Sequence, residues 1–179
     1  MAYLCNDELR LRQLEPGDLG FLYRWENDPL LWGVSEFVAP YSQNALKAYI
    51  ENELKGIFVT GQLRLMIELK ESDVVVGTID LFDFVPMSKR AGVGIFVVPD
   101  FQRKGVASAA LDLLVDYAFG HLNLRQLHCK IGVDNVASLK LFERAGFERA
   151  GVLKDWVWAD GCFRSVAVYQ LINIKEDKV

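Results

Sequence analysis

Glu8 to Leu14 alternates polar and apolar residues with the period of two that a half-buried strand requires. The pattern then changes. Pro16-Gly17-Asp18 opens a helical repeat carried by Leu19, Leu22, Tyr23 and Glu26, which Asp28-Pro29 stops. A second helix is predicted from Ser42 to about Lys55, with Ala45, Leu46, Tyr49, Ile50 and Leu54 on its buried side. Between them, Leu30 to Tyr41 reads as an aromatic-rich loop, suited to walling a pocket or to capping the core. Strands are predicted over Leu63 to Lys70, Asp73 to Phe84 and Ala91 to Val98, and the short connections between them predict an antiparallel meander. From about Gly105 to Phe119, Val106, Ala110, Leu113, Leu114 and Tyr117 recur at helical spacing, while Asp112 and Asp116 lie on another side. A strand over Leu124 to Val133, a helix over Val136 to Ala145 and two strands ending near Ile174 complete the chain. The order predicts one α/β domain over residues 1–179: a mixed, mainly antiparallel sheet of about seven strands flanked by about four helices.

With 51% hydrophobic residues in 179, the chain can bury a core without disulfide or metal staples, and disorder is excluded. No apolar run reaches the roughly 18 residues that a membrane helix needs. The opening Met1-Ala2-Tyr3-Leu4-Cys5-Asn6-Asp7-Glu8 lacks a basic segment followed by an apolar one, so a cytoplasmic protein without a membrane partner is expected. Asp and Glu number 24 against 20 Lys and Arg, a net charge of −4. That balance argues against a nucleic-acid partner and suits a cationic small molecule. Cys5, Cys129 and Cys162 form no C-x-x-C pair and read as reduced thiols, with Cys129 in the apolar run Leu127-His128-Cys129-Lys130-Ile131. His121 and His128 have no clustered partner ligand, and no metal is expected. Trp25, Trp32, Trp156 and Trp158 suit a pocket lining or an interface equally well.

The most informative segment runs from Ile95 through Phe96, Val97, Val98, Pro99, Asp100 and Phe101 to Gln102, Arg103, Lys104, Gly105, Val106, Ala107 and Ser108. A buried strand ends at proline and an amphipathic helix begins a few residues later. The first N–H groups of a helix lack internal partners and carry the positive end of its dipole, so phosphate oxygens can satisfy them. Gly105 and Ala107 allow close approach, and Arg103 and Lys104 add positive charge. Two other phosphate motifs fail. Val106-Ala107 stands where a P-loop needs Lys and Ser/Thr, and the third glycine of a dinucleotide fingerprint begun at Gly92-Val93-Gly94 would fall at Val97.

The run Gln102-Arg103-Lys104-Gly105-Val106-Ala107 resembles the Q/R-x-x-G-x-G/A signature of the GNAT family of acetyl-CoA-dependent N-acetyltransferases. A second segment, Asn135-Val136-Ala137-Ser138 through Gly146-Phe147, is similar to the N-x-x-S/A…G-F stretch that follows the family's fifth strand. The likeness covers nearly the whole chain. It is greatest to the RimJ/RimL group and, through Gly77-Thr78-Ile79-Asp80-Leu81-Phe82-Asp83-Phe84, to the spermidine/spermine acetyltransferases. On the residues alone, Gly105 also suits an ordinary helix start, Asn135 an N-cap, and Gly146-Phe147 a C-terminal cap.

The resemblance implies acetyl-CoA as cofactor. It implies that pantetheine lies along Ile95, Phe96 and Val97, in a splay between that strand and the one ending at Val133. It also implies that pyrophosphate meets the N–H groups of Gln102 through Ser108, with Asn135 and Ser138 on the opposite wall. A main-chain N–H near Val97 would steady charge on the thioester oxygen. An alkylamine, with a pKa near that of lysine at about 10.4, must lose a proton before it attacks. Asp80 and Asp83 are the expected acceptors or amine ligands, pointing in opposite directions if their strand is regular, and Glu26, Asp28 and Glu36 are weaker candidates. The family's usual tyrosine general acid is replaced by Phe142, and Gly92 stands where polyamine enzymes often carry glutamate. Ser138 or water then replaces the acid, as relatives with serine there suggest. The expected function is direct acetyl transfer to a primary amine, a small cationic amine or polyamine or a protein N-terminus, in a ternary complex. A non-catalytic acyl-CoA binding or sensing domain is the alternative, and a homodimer is the family-based expectation.

Overall fold

A computed structural model describes residues 3–29, 39–159 and 161–174. Seven strands form one sheet: β1 (Leu9–Gln13), β2 (Leu63–Leu69), β3 (Val74–Val85), β4 (Arg90–Val97), β5 (Gln126–Gly132), β6 (Glu148–Ala159) and β7 (Cys162–Ile172). The order across the sheet is β1-β2-β3-β4-β5-β7-β6, and every neighbouring pair is antiparallel except β4 and β5. The helices are α1 (Leu19–Glu26), α2 (Gln43–Glu53), α3 (Ile57–Thr60), α4 (Val106–Gly120) and α5 (Val136–Arg144). The mixed, mainly antiparallel sheet agrees with the sequence pattern. About four helices were expected and the described residues form five; the addition is α3, a single turn between Gly56 at φ +80° and Gly61 at φ +71°. Four residues are too few to show helical periodicity. The expected loop from Leu30 falls mostly on residues 30–38, which lie outside the described residues, as do Trp32 and Glu36.

Alternation along the strands separates two apolar layers. Leu11, Leu65, Ile67, Ile79, Val93 and Leu127 are buried in the larger core together with Ala110, Leu111 and Leu114 of α4 and Phe142 of α5. Met66 faces the other way, into a smaller core with Leu22 of α1 and Leu46 and Ile50 of α2. The sheet therefore has α4 and α5 on one face and α1 and α2 on the other. Cys129 lies in the larger core, where burial pushes its thiol pKa up to about 12. All three thiols are free. No helix among the described residues is long and apolar enough to cross a membrane.

Candidate active site

β4 and β5 pair only over Arg90–Gln126, Ala91–Leu127 and Gly92–His128. Beyond that point the two strands part. The Val98 N–H donates to the Val76 carbonyl at 2.9 Å. Alternation then turns the main chain of Phe96 toward β3 and leaves the N–H groups of Ile95 and Val97 facing the gap. The opposite side behaves likewise: Val133 N–H reaches Ser165 on β7, which leaves the peptide groups of Lys130 toward β4. The result is a wedge with its apex at Gly92 and His128, lined on both sides by main-chain donors and acceptors. Among the three strand residues expected to bind pantetheine, Ile95 and Val97 offer backbone groups to the wedge. Phe96 has its backbone committed to β3, and its ring meets Trp25 of α1 at a centroid distance of 5.4 Å.

At the wide end, a single turn at Pro99–Phe101 leads into the loop before α4. Arg103 and Gly105 both adopt left-handed backbone conformations, with φ of +59° and +84°. Alternating hand aims successive amides into one hollow, the geometry of an anion nest. The first bond of the helix runs from Ala109 N–H to Gly105 carbonyl at 3.0 Å. The amides of Arg103, Lys104, Gly105, Val106, Ala107 and Ser108 donate to no turn or cap carbonyl among the described residues. Gly105 bears no capping side chain, and a Cβ there would meet nothing within 4 Å, so the hollow is open. Lys104 lies over the Phe101 ring at 5.2 Å.

Gln102 corrects one expectation. Its N–H is already given to the Pro99 carbonyl at 3.2 Å and its side-chain amide to the Val97 carbonyl at 2.8 Å. The free amides therefore begin at Arg103, and Gln102 braces the loop against the end of β4.

Across the wedge, Asn135 Oδ1 accepts from Ser138 N–H at 3.1 Å and starts α5. The helix ends on Gly146 at φ +86°, with Gly146 N–H bonded to Glu143 carbonyl and Phe147 N–H to Phe142 carbonyl. That pair of bonds is a Schellman motif, and its usual apolar contact is the edge-to-face pair of Phe142 and Phe147 at 5.0 Å. Phe142 is thus an anchor of the helix end, buried in the larger core. Ser138 is half-buried in the first turn.

The two expected carboxylates part company for a reason the sequence pattern does not contain. Pairing of β3 with β4 shifts between Phe82 and Val85, and Asp83 sits in this bulge at φ +47°, exposed. Asp80 is half-buried and accepts from Arg64 Nε at 2.6 Å and from Nη2 at 3.2 Å. Arg64 also pairs with Glu26 of α1, and Glu53 of α2 accepts the Arg64 N–H at 2.9 Å. Burial works against the Arg64 charge, but Asp80, Tyr49 and Glu26 outweigh it and raise its pKa. This cluster joins α1, α2, β2 and β3 on the face opposite α4. Glycine at 92 also has a local cause: a Cβ there would collide with the Phe82 ring, which lies across it.

Residues 8–148 match the family model described as an acetyltransferase (GNAT) domain. The chain belongs to the GNAT acetyltransferase family. Its relatives include the "uncharacterized N-acetyltransferase p20" of Bacillus licheniformis, 28% identical over 174 residues that cover 97% of each chain. The spermidine N(1)-acetyltransferase of Vibrio cholerae is 26% identical over 170 residues, covering 95% of this chain and 96% of that one. Among solved structures, a spermidine N-acetyltransferase from Vibrio cholerae in complex with CoA and spermine superposes with a TM-score of 0.83 at 27% identity, over 93% of this chain and 96% of that one. This GNAT protein is an acetyl-CoA-dependent enzyme that transfers an acetyl group to an amine.

Proposed function

We propose that the acceptor is a small cationic amine of the polyamine class and that the chain works as a single catalytic domain with the wedge at its centre. The carrying observation is the wedge itself: unpaired backbone groups of β4 leading into a nest of free amides at the start of α4. An extended, amide-bearing chain that ends in a diphosphate suits both halves, since its amides match a strand edge and its charge matches a helix entrance.

Ile95 and Val97 would hold the pantetheine arm through their main chain. Arg103, Lys104, Gly105, Val106, Ala107 and Ser108 would hold the pyrophosphate, with Gln102 and Phe96 shaping the cradle from behind. Asn135 and Ser138 would form the far wall of the cofactor site, with Ser138 in the first turn of α5. The bound thioester supplies an acyl carbon activated toward attack and a thiol leaving group. The Val97 N–H would steady negative charge on its oxygen.

On the α1/α2 side of the sheet Glu26 and Asp80 converge on Arg64, and an acidic cluster of this kind suits a cationic acceptor. Asp83, free of the Arg64 pair, is the carboxylate open to an incoming ammonium group. Asp80 holds Arg64 and through it α1, and so shapes the acceptor side. The spermidine acetyltransferases among the relatives support the polyamine class over a protein N-terminus. The three free thiols fit a reducing cytoplasm, and the exposed Trp158–Phe163 pair of the outer hairpin, with Trp156 near it, fits self-association as at least a dimer.

The test is a screen of spermidine, spermine, small monoamines and peptides with free N-termini against acetyl-CoA, following release of free thiol. Turnover strongest with polyamines supports the assignment. Turnover with peptides alone would move the substrate to protein N-termini.

A further inference from the structure

His128 stands at the wedge apex, opposite Gly92, as the last residue of β5 that pairs with β4. Parallel pairing puts its side chain on the Gly92 and Phe82 face, the same face as Asp80 and Phe96. Its ring meets Phe82 edge to face at 6.2 Å, and Phe82 in turn fills the space above Gly92. The imidazole is half-buried. Burial lowers its pKa, Asp83 at the β3 bulge opposes that effect, and Arg90 of β4 and Lys130 of its own strand add to it. On β7 its partner is the neutral Gln170, which faces Glu148 one strand further out. Lys130 itself lies over Trp156 of β6 at 5.0 Å. An imidazole therefore stands where the wedge closes, packed against Phe82 on the face of the sheet that carries Asp80.

We propose that His128 is the catalytic residue that carries the proton from the acceptor nitrogen to the departing sulfur. This rests on the acetyl-transfer function and on placement of the thioester in the wedge. Nitrogen of the neutral amine forms a bond to the acyl carbon, and its N–H becomes acidic as that bond forms. His128 takes this proton. As the carbon–sulfur bond breaks, the electron pair goes to sulfur and the imidazolium returns the proton to it. Acetyl passes from sulfur to nitrogen, one proton passes from nitrogen to sulfur, and the imidazole ends as it began. A base that ordinarily titrates near 6.5 suffices, because the proton is removed while the nitrogen is being acylated and not from the free ammonium ion. The same cycle answers the absence of a phenol at Phe142, since the imidazolium holds the proton that a tyrosine would have given.

The test uses His128→Gln, which keeps a hydrogen-bonding side chain and removes the titration. Wild type, His128→Gln and the control His121→Gln are compared in turnover of spermidine across pH and in CoA binding by calorimetry. In His128→Gln, kcat falls by roughly 10²- to 10⁴-fold, the additional inflection that His128 contributes below neutrality disappears from the pH profile, and CoA affinity is kept. His121→Gln retains wild-type turnover. A second readout needs no catalysis: the chain has two histidines, so the imidazole resonances of the free wild-type protein are assigned with the His121→Gln variant alone. The His128 midpoint lies below 6.5, and spermidine added with CoA lowers it by about half a pH unit or more, because a nearby cation disfavours the imidazolium. His128→Gln turning over within about threefold of wild type, with the same inflection below neutrality, overturns the proposal, as that is far below a general-base effect. A His128 resonance indifferent to spermidine overturns it too, and this decides the matter even if the variant misfolds. Failure of wild type to acetylate any amine would instead sink the acceptor assignment, a result distinct from both.

Discussion

Gly105→Glu isolates the nest at the start of α4. The substitution does two things of different size. A non-glycine residue at φ +84° carries backbone strain of about 1–2 kcal/mol. That strain is present with and without ligand, so it lowers stability and leaves affinity alone. No atom lies within 4 Å of the new Cβ, so crowding by the protein adds nothing. The second effect is the carboxylate, which lands among the free amides that a diphosphate would use. One unit charge facing another at about 5 Å is worth about 0.8 kcal/mol in bulk water and about 3 kcal/mol at an effective dielectric of 20, and a diphosphate brings two such charges. Loss of favourable helix-dipole interaction adds to this. CoA affinity should therefore fall at least tenfold, with larger losses in low salt. Gly105→Ala supplies the control, sharing the strain but not the charge. Calorimetric titration with CoA at two salt concentrations, beside thermal melts of both variants, separates the effects. Equal CoA affinity in wild type and Gly105→Glu at low salt would place the diphosphate somewhere other than this nest.

Asn135→Ala removes the acceptor of the Ser138 N–H, and loss of such a cap costs about 1 kcal/mol. A chain of this size should melt about 2–4 °C lower, with Asn135→Asp close to wild type by calorimetry. Gly92→Glu drives a side chain into the Phe82 ring and should destabilise by about 1–3 kcal/mol in urea unfolding, whereas Gly92→Glu with Phe82→Ala should recover part of that loss. Simple additivity of the two substitutions would show that the ring does not fill the position. Glu68 is buried and hydrogen-bonded by Arg12 and Arg10; burial works against its charge, but the two guanidinium groups outweigh it and hold its pKa below the ordinary 4.5. Its folded pKa is depressed, so its stabilisation is fully present above about 4.5 and fades as pH falls toward the folded value. Stability measured in urea from pH 7 to pH 3 should fall less steeply over the acid range in Glu68→Gln than in wild type.

The strands were legible because each obeys a local rule. Leu9 and Leu11 alternate with Arg10 and Arg12, and Leu63–Leu69 and Arg90–Val97 stand within a residue or two of their expected ends. The cap at Asn135 was equally local, accepting the Ser138 amide three residues on, and Ser42, where a helix start was expected, accepts the Ala45 amide in the same way. The entrance to α4 was visible in Pro99 and Gly105, which stop one element and start the next. What escaped notice depends on residues far apart in the chain. Arg64 meets Asp80 and Glu26 through the sheet and α1, so neither carboxylate announces its partner. The facing of Asp83 holds only for a regular strand, and a bulge breaks the period of two at that point. Gln102 has two donors turned inward by the tight turn before it, which no motif spacing conveys. His128 looked like one more residue in an apolar run, and it gained meaning only when pairing with Gly92 set it at the parting of two strands.

The three residue pairs that join β4 to β5 leave the sheet with an unfinished seam. Each half is zipped by full antiparallel ladders, while the middle is stitched only near one end. A molecule slid into that seam becomes, in effect, an eighth strand, lending the donors and acceptors that the protein withholds from itself. Loading the enzyme should then slow amide exchange at Ile95, Val97 and Lys130 far more than at β1 or β2, and raise the melting temperature with ligand concentration.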